Sequence, residues 1–203
     1  MEVGADVSYL SPRFIIRSDS PEREVEEYAR AHDWPKVLDV PEDLESGDVR
    51  SIEWEITGGA RLKFFQDDVT DCPYFFIEAP YSNLCLSMTR HAVAEIPVCK
   101  RDELLNAFDV SEPGSEERCQ AILMAALGAS HELDVDVYRR IGEALGDPNA
   151  DVRSAAVYAM SYSPASEYVP ALRETAVGDT DGRVREEAQE LLDVFAQIGI
   201  GDA

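Results

Sequence analysis

The side chains able to do acid–base, nucleophilic or ligand chemistry are few and scattered. The histidines are His32, His91 and His131, and none accompanies a Ser or Cys in a recognisable nucleophile motif. No glycine-rich phosphate loop and no Gly-x-Ser-x-Gly elbow occurs, so spacing assigns no catalytic residue. Cys72, Cys85, Cys99 and Cys119 are 13, 14 and 20 residues apart, with no Cys-x-x-Cys pair and no histidine at ligand spacing. That usage predicts free, buried thiols in a reducing compartment rather than a zinc site. Asp67, Asp68 and Asp71 cluster as cation ligands do, but they lack the Asp-x-Asp-x-Asp-Gly register and the distal Glu of a calcium loop, and read as a solvated loop. The expectation is no metal and no cofactor.

A repeated phrase carries more information than any of these. Asp147-Pro-Asn-Ala-Asp-Val152-Arg153-Ser-Ala-Ala156 and Asp179-Thr-Asp-Gly-Arg-Val184-Arg185-Glu-Glu-Ala188 stand in register 32 residues apart. A period of that length means stacked helix pairs, each burying its apolar stripe against its neighbours and presenting an extended surface. Arg118-Cys-Gln-Ala121-Ile-Leu-Met-Ala125 is a weaker copy without the opening Asp.

The phrase resembles the HEAT repeat, in the short bacterial form known from phycobilin lyases. The resemblance rests on Asp147, Val152, Arg153 and Ala156 and on Asp179, Val184, Arg185 and Ala188; it covers 147–197 well, 115–146 less well, and nothing earlier. It implies an α-α superhelix in which Asp147, Arg153, Asp179 and Arg185 form a structural ladder along the stack. It also implies a binding scaffold more often than an enzyme.

Charge narrows the partner. Forty-one acidic against 18 basic residues give −23, with −12 in 1–110 and −11 in 111–203, so the acid is no tail. Such a field repels nucleic acid and anionic membrane surfaces, both of which need cations opposite phosphate. A basic protein partner, solubility alone, or a high-salt cytoplasm with few lysines (Lys36, Lys63, Lys100) are the remaining readings. No charged and apolar leader opens the chain and no apolar run approaches the ~20 residues of a membrane span, which predicts a cytoplasmic location.

The elements that must position these residues divide into two kinds. Ser20, Pro21, Glu22 and Glu24 predict a helix start running to about 32, and 33–48 reads as a loop. Ile52, Trp54 and Ile56 alternate with Glu53, Glu55 and Thr57 as a half-buried strand does. Gly58-Gly59 turns the chain into a second strand over 62–65, and 74–79 makes a third, with 14–17 as a possible first. Helices are predicted over 84–96, 101–108, 115–128, 135–145, 149–161, 166–177 and 181–197. Ser111-Glu-Pro-Gly114 marks the boundary.

The chain therefore reads as α+β, with a small antiparallel sheet and helix plus connecting, capping helices in 1–110 and a HEAT-like solenoid in 111–203. The resemblance implies that the second helix of each pair, 135–145 and 166–177, lines the concave face, and Tyr138, Arg139, Glu143, Tyr168, Arg173 and Glu174 are the candidate partner-binding residues there, because aromatics and Arg dominate interface energetics. Tyr158 and Tyr162, one turn apart, suit an aromatic binding stripe and inter-repeat packing equally. The expected function is non-catalytic protein binding, as an acidic inhibitor of the immunity type or an adaptor. A scaffold subunit of a larger assembly, or a lyase-like enzyme containing HEAT repeats, are the alternatives.

Overall fold

The computed structural model describes residues 8–43 and 49–201, which fall into two compact units, 1–99 and 100–203. The division precedes the expected 110/111 boundary, because the helix over 101–110 packs with the helices that follow it.

In the first unit the described residues form an antiparallel sheet and two helices. The strands are β1 (Tyr9–Leu10), β2 (Phe14–Ile15), β3 (Lys36–Val40), β4 (Ser51–Ile56), β5 (Ala60–Gln66) and β6 (Pro73–Ala79), in the order β1-β6-β5-β4-β3, with β2 also on β6. The helices are α1 (Pro21–Ala31) and α2 (Ser82–Glu95). Gly58 and Gly59, at φ of 90° and 81°, make the β4–β5 turn in a region closed to most side chains. β3 corrects the expectation of a loop over 33–48: its residues are mostly exposed, and it pairs with β4 as an edge strand. Its side chains show no burial alternation, so periodicity could not find it.

Alternation along β4, β5 and β6 gives the sheet two unlike faces. Ile52, Trp54, Ile56, Leu62, Phe64, Phe75 and Ile77 are buried with Val25, Tyr28 and Ala29 of α1 and Cys85 and Ala92 of α2. The other face carries Glu53, Lys63 and Glu78, with Phe65, Tyr74 and Phe76 stacked across β5 and β6 at 5.6 and 5.7 Å. Glu53 is buried at 8% exposure rather than solvated, because Lys63 at 3.2 Å and Arg61 at 2.8 Å enclose it.

The second unit is helical: α3 (Arg101–Val110), α4 (Glu116–Leu127), α5 (Val135–Leu145), α6 (Ala150–Ala159), α7 (Val169–Gly178) and α8 (Gly182–Gln197). Short 3-10 turns at Met160–Tyr162 and Ser166–Tyr168 lie between α6 and α7. The pairs α3–α4, α5–α6 and α7–α8 pack closely, and α4, α6 and α8 lie side by side in one layer. Small residues permit that approach: Ala121, Ala125, Ala155, Ala156, Ala159 and Ala188 are all buried, around Ile122, Met160, Leu172 and Phe195. α3 thus joins the stack, which corrects the expected pairing: α5 and α7 are the first helices of their pairs and not the second.

Candidate functional site

The helical unit is built on one local device used twice. Asp147 Oδ1 accepts from Asn149 N at 2.9 Å, and Asn149 in turn caps α6 by accepting from Asp151 N. Asp179 Oδ1 accepts from Asp181 N at 2.8 Å, and Asp181 caps α8 by accepting from Arg183 N. Each Asp therefore closes its own turn and keeps a carboxylate oxygen for the preceding repeat. Arg153 donates to both oxygens of Asp179 at 2.7 and 2.8 Å and to the Asp147 carbonyl at 3.0 Å. Arg118 approaches Asp147 at 3.1 Å and lies 3.8 Å over the Phe108 ring. Arg185 donates to the Asp179 carbonyl at 2.6 Å. The hydrogen bonds from Arg153 hold the Asp179 carboxyl below the usual carboxylate range.

The expected partner-binding residues do not form one patch. Tyr138 is 38% exposed, with its hydroxyl donating to the Glu167 carbonyl. Arg139 and Glu143 pair with each other one turn apart on α5. Arg173 lines a hollow of about 250 Å³ with Val169, Gln189 and Leu192. Glu174 lines a groove of about 560 Å³ whose wall includes Asp147, Arg153 and Asp179. Tyr168 corrects the reading. At 3% exposure it is a core residue packed 5.3 Å from Tyr138, and burial pushes its hydroxyl up to about 12. The 3-10 turn at 166–168 directs it inward.

A more apolar groove of about 270 Å³ lies between α6 and α8, lined by Ser154, Val157, Tyr158, Ser161, Glu187, Glu190, Leu191 and Val194. Tyr158 and Val194 are 40% and 47% exposed, and Tyr158 meets Tyr162 edge-on at 5.6 Å. Of the two sequence alternatives for this pair, Tyr158 lies on an accessible surface and Tyr162 is half-buried. Spacing along the chain places Tyr158 and Tyr162 on one face; Leu191 and Val194 come from the next repeat, and only packing brings them to the groove.

In the sheet unit, His32, His91 and Glu95 place one donor atom each within 4.8 Å of one another. α1 ends with Asp33 in the left-handed region at φ 56°, which turns Trp34 N back to the Ala29 carbonyl at 3.0 Å and leaves His32 as the C-cap. His32 Nδ1 meets the Tyr28 carbonyl at 2.9 Å, and His91 Nδ1 meets the Tyr28 hydroxyl at 2.8 Å. Burial, reinforced by Glu95, pushes that hydroxyl up to about 12, so it remains a neutral phenol. Spacing along the chain gave no ligand pattern; the two histidines meet only because α1 and α2 join the same core.

The remaining chemistry-bearing residues are accounted for locally. Asp67 accepts from the backbone and hydroxyl of Thr70 at 2.7 Å, and Gln66 donates to Asp71, so the acidic cluster closes its own turn. None of the four cysteines is in a disulfide, and burial pushes the Cys72, Cys85 and Cys119 thiols up, opposite to the shift an attacking thiolate requires.

Against known families, the model for HEAT repeats matches residues 102–193. The C-terminal half is a HEAT-like repeat array. The match begins within α3, in agreement with the place of that helix in the stack. HEAT repeats generally mediate protein–protein interaction or scaffolding. Neither the curated proteins nor the solved structures contain a match to the chain. No helix among the described residues is long and apolar enough to cross a membrane.

Proposed function

We propose that the protein is a non-catalytic binding module, an acidic inhibitor or adaptor, whose HEAT-like array engages a basic protein in the cytoplasm. The observation that carries this reading is the α6–α8 groove, with Val157, Tyr158, Leu191 and Val194 as an apolar floor and Glu187 and Glu190 beside it. An apolar centre next to carboxylates suits an aliphatic or aromatic anchor flanked by Lys or Arg, and an aromatic in a desolvated pocket is where binding energy concentrates. The net charge of −23 then favours encounter with a cationic surface and disfavours nucleic acid or anionic membranes. The α5 and α7 residues Tyr138, Arg139, Glu143, Arg173 and Glu174, which lie on separate features, are the competing contacts, and Tyr168 supports Tyr138 from the core.

Co-purification of the intact chain followed by mass spectrometry tests the proposal, with Tyr158→Ala and Val194→Asp as one pair of variants and Arg139→Ala and Arg173→Ala as the other. The expected result is a basic protein lost from the first pair, retained by the second, and released by added salt. Recovery of no protein, together with turnover of a small molecule by the pure chain, overturns the reading in favour of an enzyme.

A further inference from the structure

We infer that His32, His91 and Glu95 form a binding site for one divalent transition ion of the Zn²⁺ class, separate from the repeat surface. The donors converge from two elements. His91 and Glu95 lie one turn apart on α2, with Nε2 and Oε1 3.5 Å apart, and His32 enters from the end of α1. Bonds of about 2.0–2.2 Å to an ion require its ligands to be roughly 3.3–3.6 Å from one another. The His91–Glu95 pair already meets that requirement, and the 4.8 Å spread of the whole group closes with small rotations of His91 and Glu95, both exposed.

Proximity alone would be a surface cluster; the second observation is how the imidazoles are held. The Tyr28 carbonyl can only accept, so His32 Nδ1 carries the proton and Nε2 keeps its lone pair directed away from that bond. A ligating histidine is oriented in this way, by its other ring nitrogen donating to a carbonyl. The Tyr28 hydroxyl holds His91 Nδ1 at 2.8 Å, and when it accepts that hydrogen bond His91 Nε2 is likewise the free donor. One nearly buried residue thus orients both rings, one through its backbone and one through its side chain. Packing of the His32 ring 4.6 Å from Tyr28 and 5.0 Å from Trp34 removes its remaining freedom.

The donor set selects the ion. Two imidazoles and one carboxylate match Zn²⁺, Co²⁺ or Ni²⁺; Ca²⁺ and Mg²⁺ prefer all-oxygen shells, and the absence of a thiolate from the set disfavours Cu(I). Water completes the coordination from the exposed side. Because the ligands come from α1 and α2, an ion that binds the folded chain stabilises it by joining the two helices.

The test uses the full chain, freed of metal by chelation and kept reduced. Titration with Zn²⁺ is followed by calorimetry and by melting temperature, and titration with Co²⁺ by absorption and by quenching of tryptophan fluorescence, since Trp34 touches His32. Binding of one equivalent is expected, with a raised melting temperature. Affinity should fall by at least about tenfold in His32→Gln and His91→Gln, fall in Glu95→Gln, and be unchanged in His131→Gln. Tyr28→Phe, which keeps the carbonyl and removes the hydroxyl, should also weaken binding by about tenfold, an effect that a packing role alone would not produce. Glu95→Gln lies on an exposed position and keeps the metal-free fold intact, so its result stands even if a histidine variant misfolds. No saturable Zn²⁺ binding, equal affinity in wild type and Glu95→Gln, or a thiolate-to-Co²⁺ absorption band would each overturn the assignment.

Discussion

In the helical unit Arg153 reaches one repeat forward to a carboxylate that its own turn has already oriented, and Arg118 does the same for Asp147. In the sheet unit Lys63 stands between Glu53 and Glu78, with Arg61 also on Glu53, and Arg50 bridges Glu22 and Asp39. The first arrangement is serial: each nearly buried carboxylate is salt-bridged by the Arg of the preceding repeat, while the Arg that follows in its own repeat bonds the Asp carbonyl instead of the carboxylate. The second is shared: Glu53 and Asp39 each meet two cations, so loss of one leaves another in place. Buried, singly partnered charges should therefore dominate the mutational response of this protein, although the more crowded network is in the sheet.

The largest effect expected is from Arg153→Ala. The Arg153 and Asp179 side chains are 11% and 6% exposed, and the substitution strands both the carboxylate and the Asp147 carbonyl. A loss of about 3 kcal/mol follows for breaking a buried pair from one side, read from the shift in urea midpoint. The pH dependence gives the same test a second axis. The native Asp179 carboxyl titrates below its unfolded value, so its stabilisation is fully present above the unfolded range, near ~3.9, and is lost as pH falls through the native value. The wild-type chain should thus lose more stability between neutral and acid pH than Arg153→Ala does. An equal acid response in the two chains would detach Asp179 from Arg153.

Lys63→Met comes next, at about 1.5 kcal/mol. Glu53 keeps Arg61 at 2.8 Å, and the methionine stem still packs on Phe76. If this variant costs as much as Arg153→Ala, the distinction between serial and shared pairing fails. Arg185→Ala should cost about 1 kcal/mol, since its bond at 2.6 Å is to the Asp179 carbonyl and not to a carboxylate. The repeat signature alone would have ranked Arg185 with Arg153; only the packed structure separates them.

These residues also show what the sequence could and could not disclose. Asp147 and Asp179 were legible because their work is local: the same turn chemistry, two residues ahead of a helix cap, is written twice at a fixed period. The hairpin at Gly58-Gly59 was legible for the same reason, because positive φ restricts residue choice. β3 was not, since an edge strand with exposed residues on both faces carries no period-2 pattern, and Pro35 and Pro41 around it read as a loop. Tyr168 was misplaced because a 3-10 turn, invisible to a 3.6-residue period, rotates it into the core. The His32–His91–Glu95 group and the Leu191–Val194 side of the α6–α8 groove depend on non-local packing, which no spacing along the chain encodes.

The smallest effect belongs to Arg183, and it tests the comparison most sharply because sequence and distance alone would predict the opposite. Arg183 meets Asp151 at 2.5 Å, closer than Arg153 meets Asp179, and also joins consecutive repeats. Yet the two side chains are 53% and 66% exposed, so water solvates both charges before and after the pair is broken. Ordering two mobile side chains offsets most of the attraction, and added salt screens what is left. Arg183→Ala should change stability by less than about 0.5 kcal/mol, and a double-mutant cycle with Asp151→Ala should return a coupling that vanishes in high salt. The corresponding cycle between Arg153 and Asp179 should retain its coupling under the same salt. A salt-resistant coupling at Arg183–Asp151 would mean that bond length rather than burial ranks the rungs.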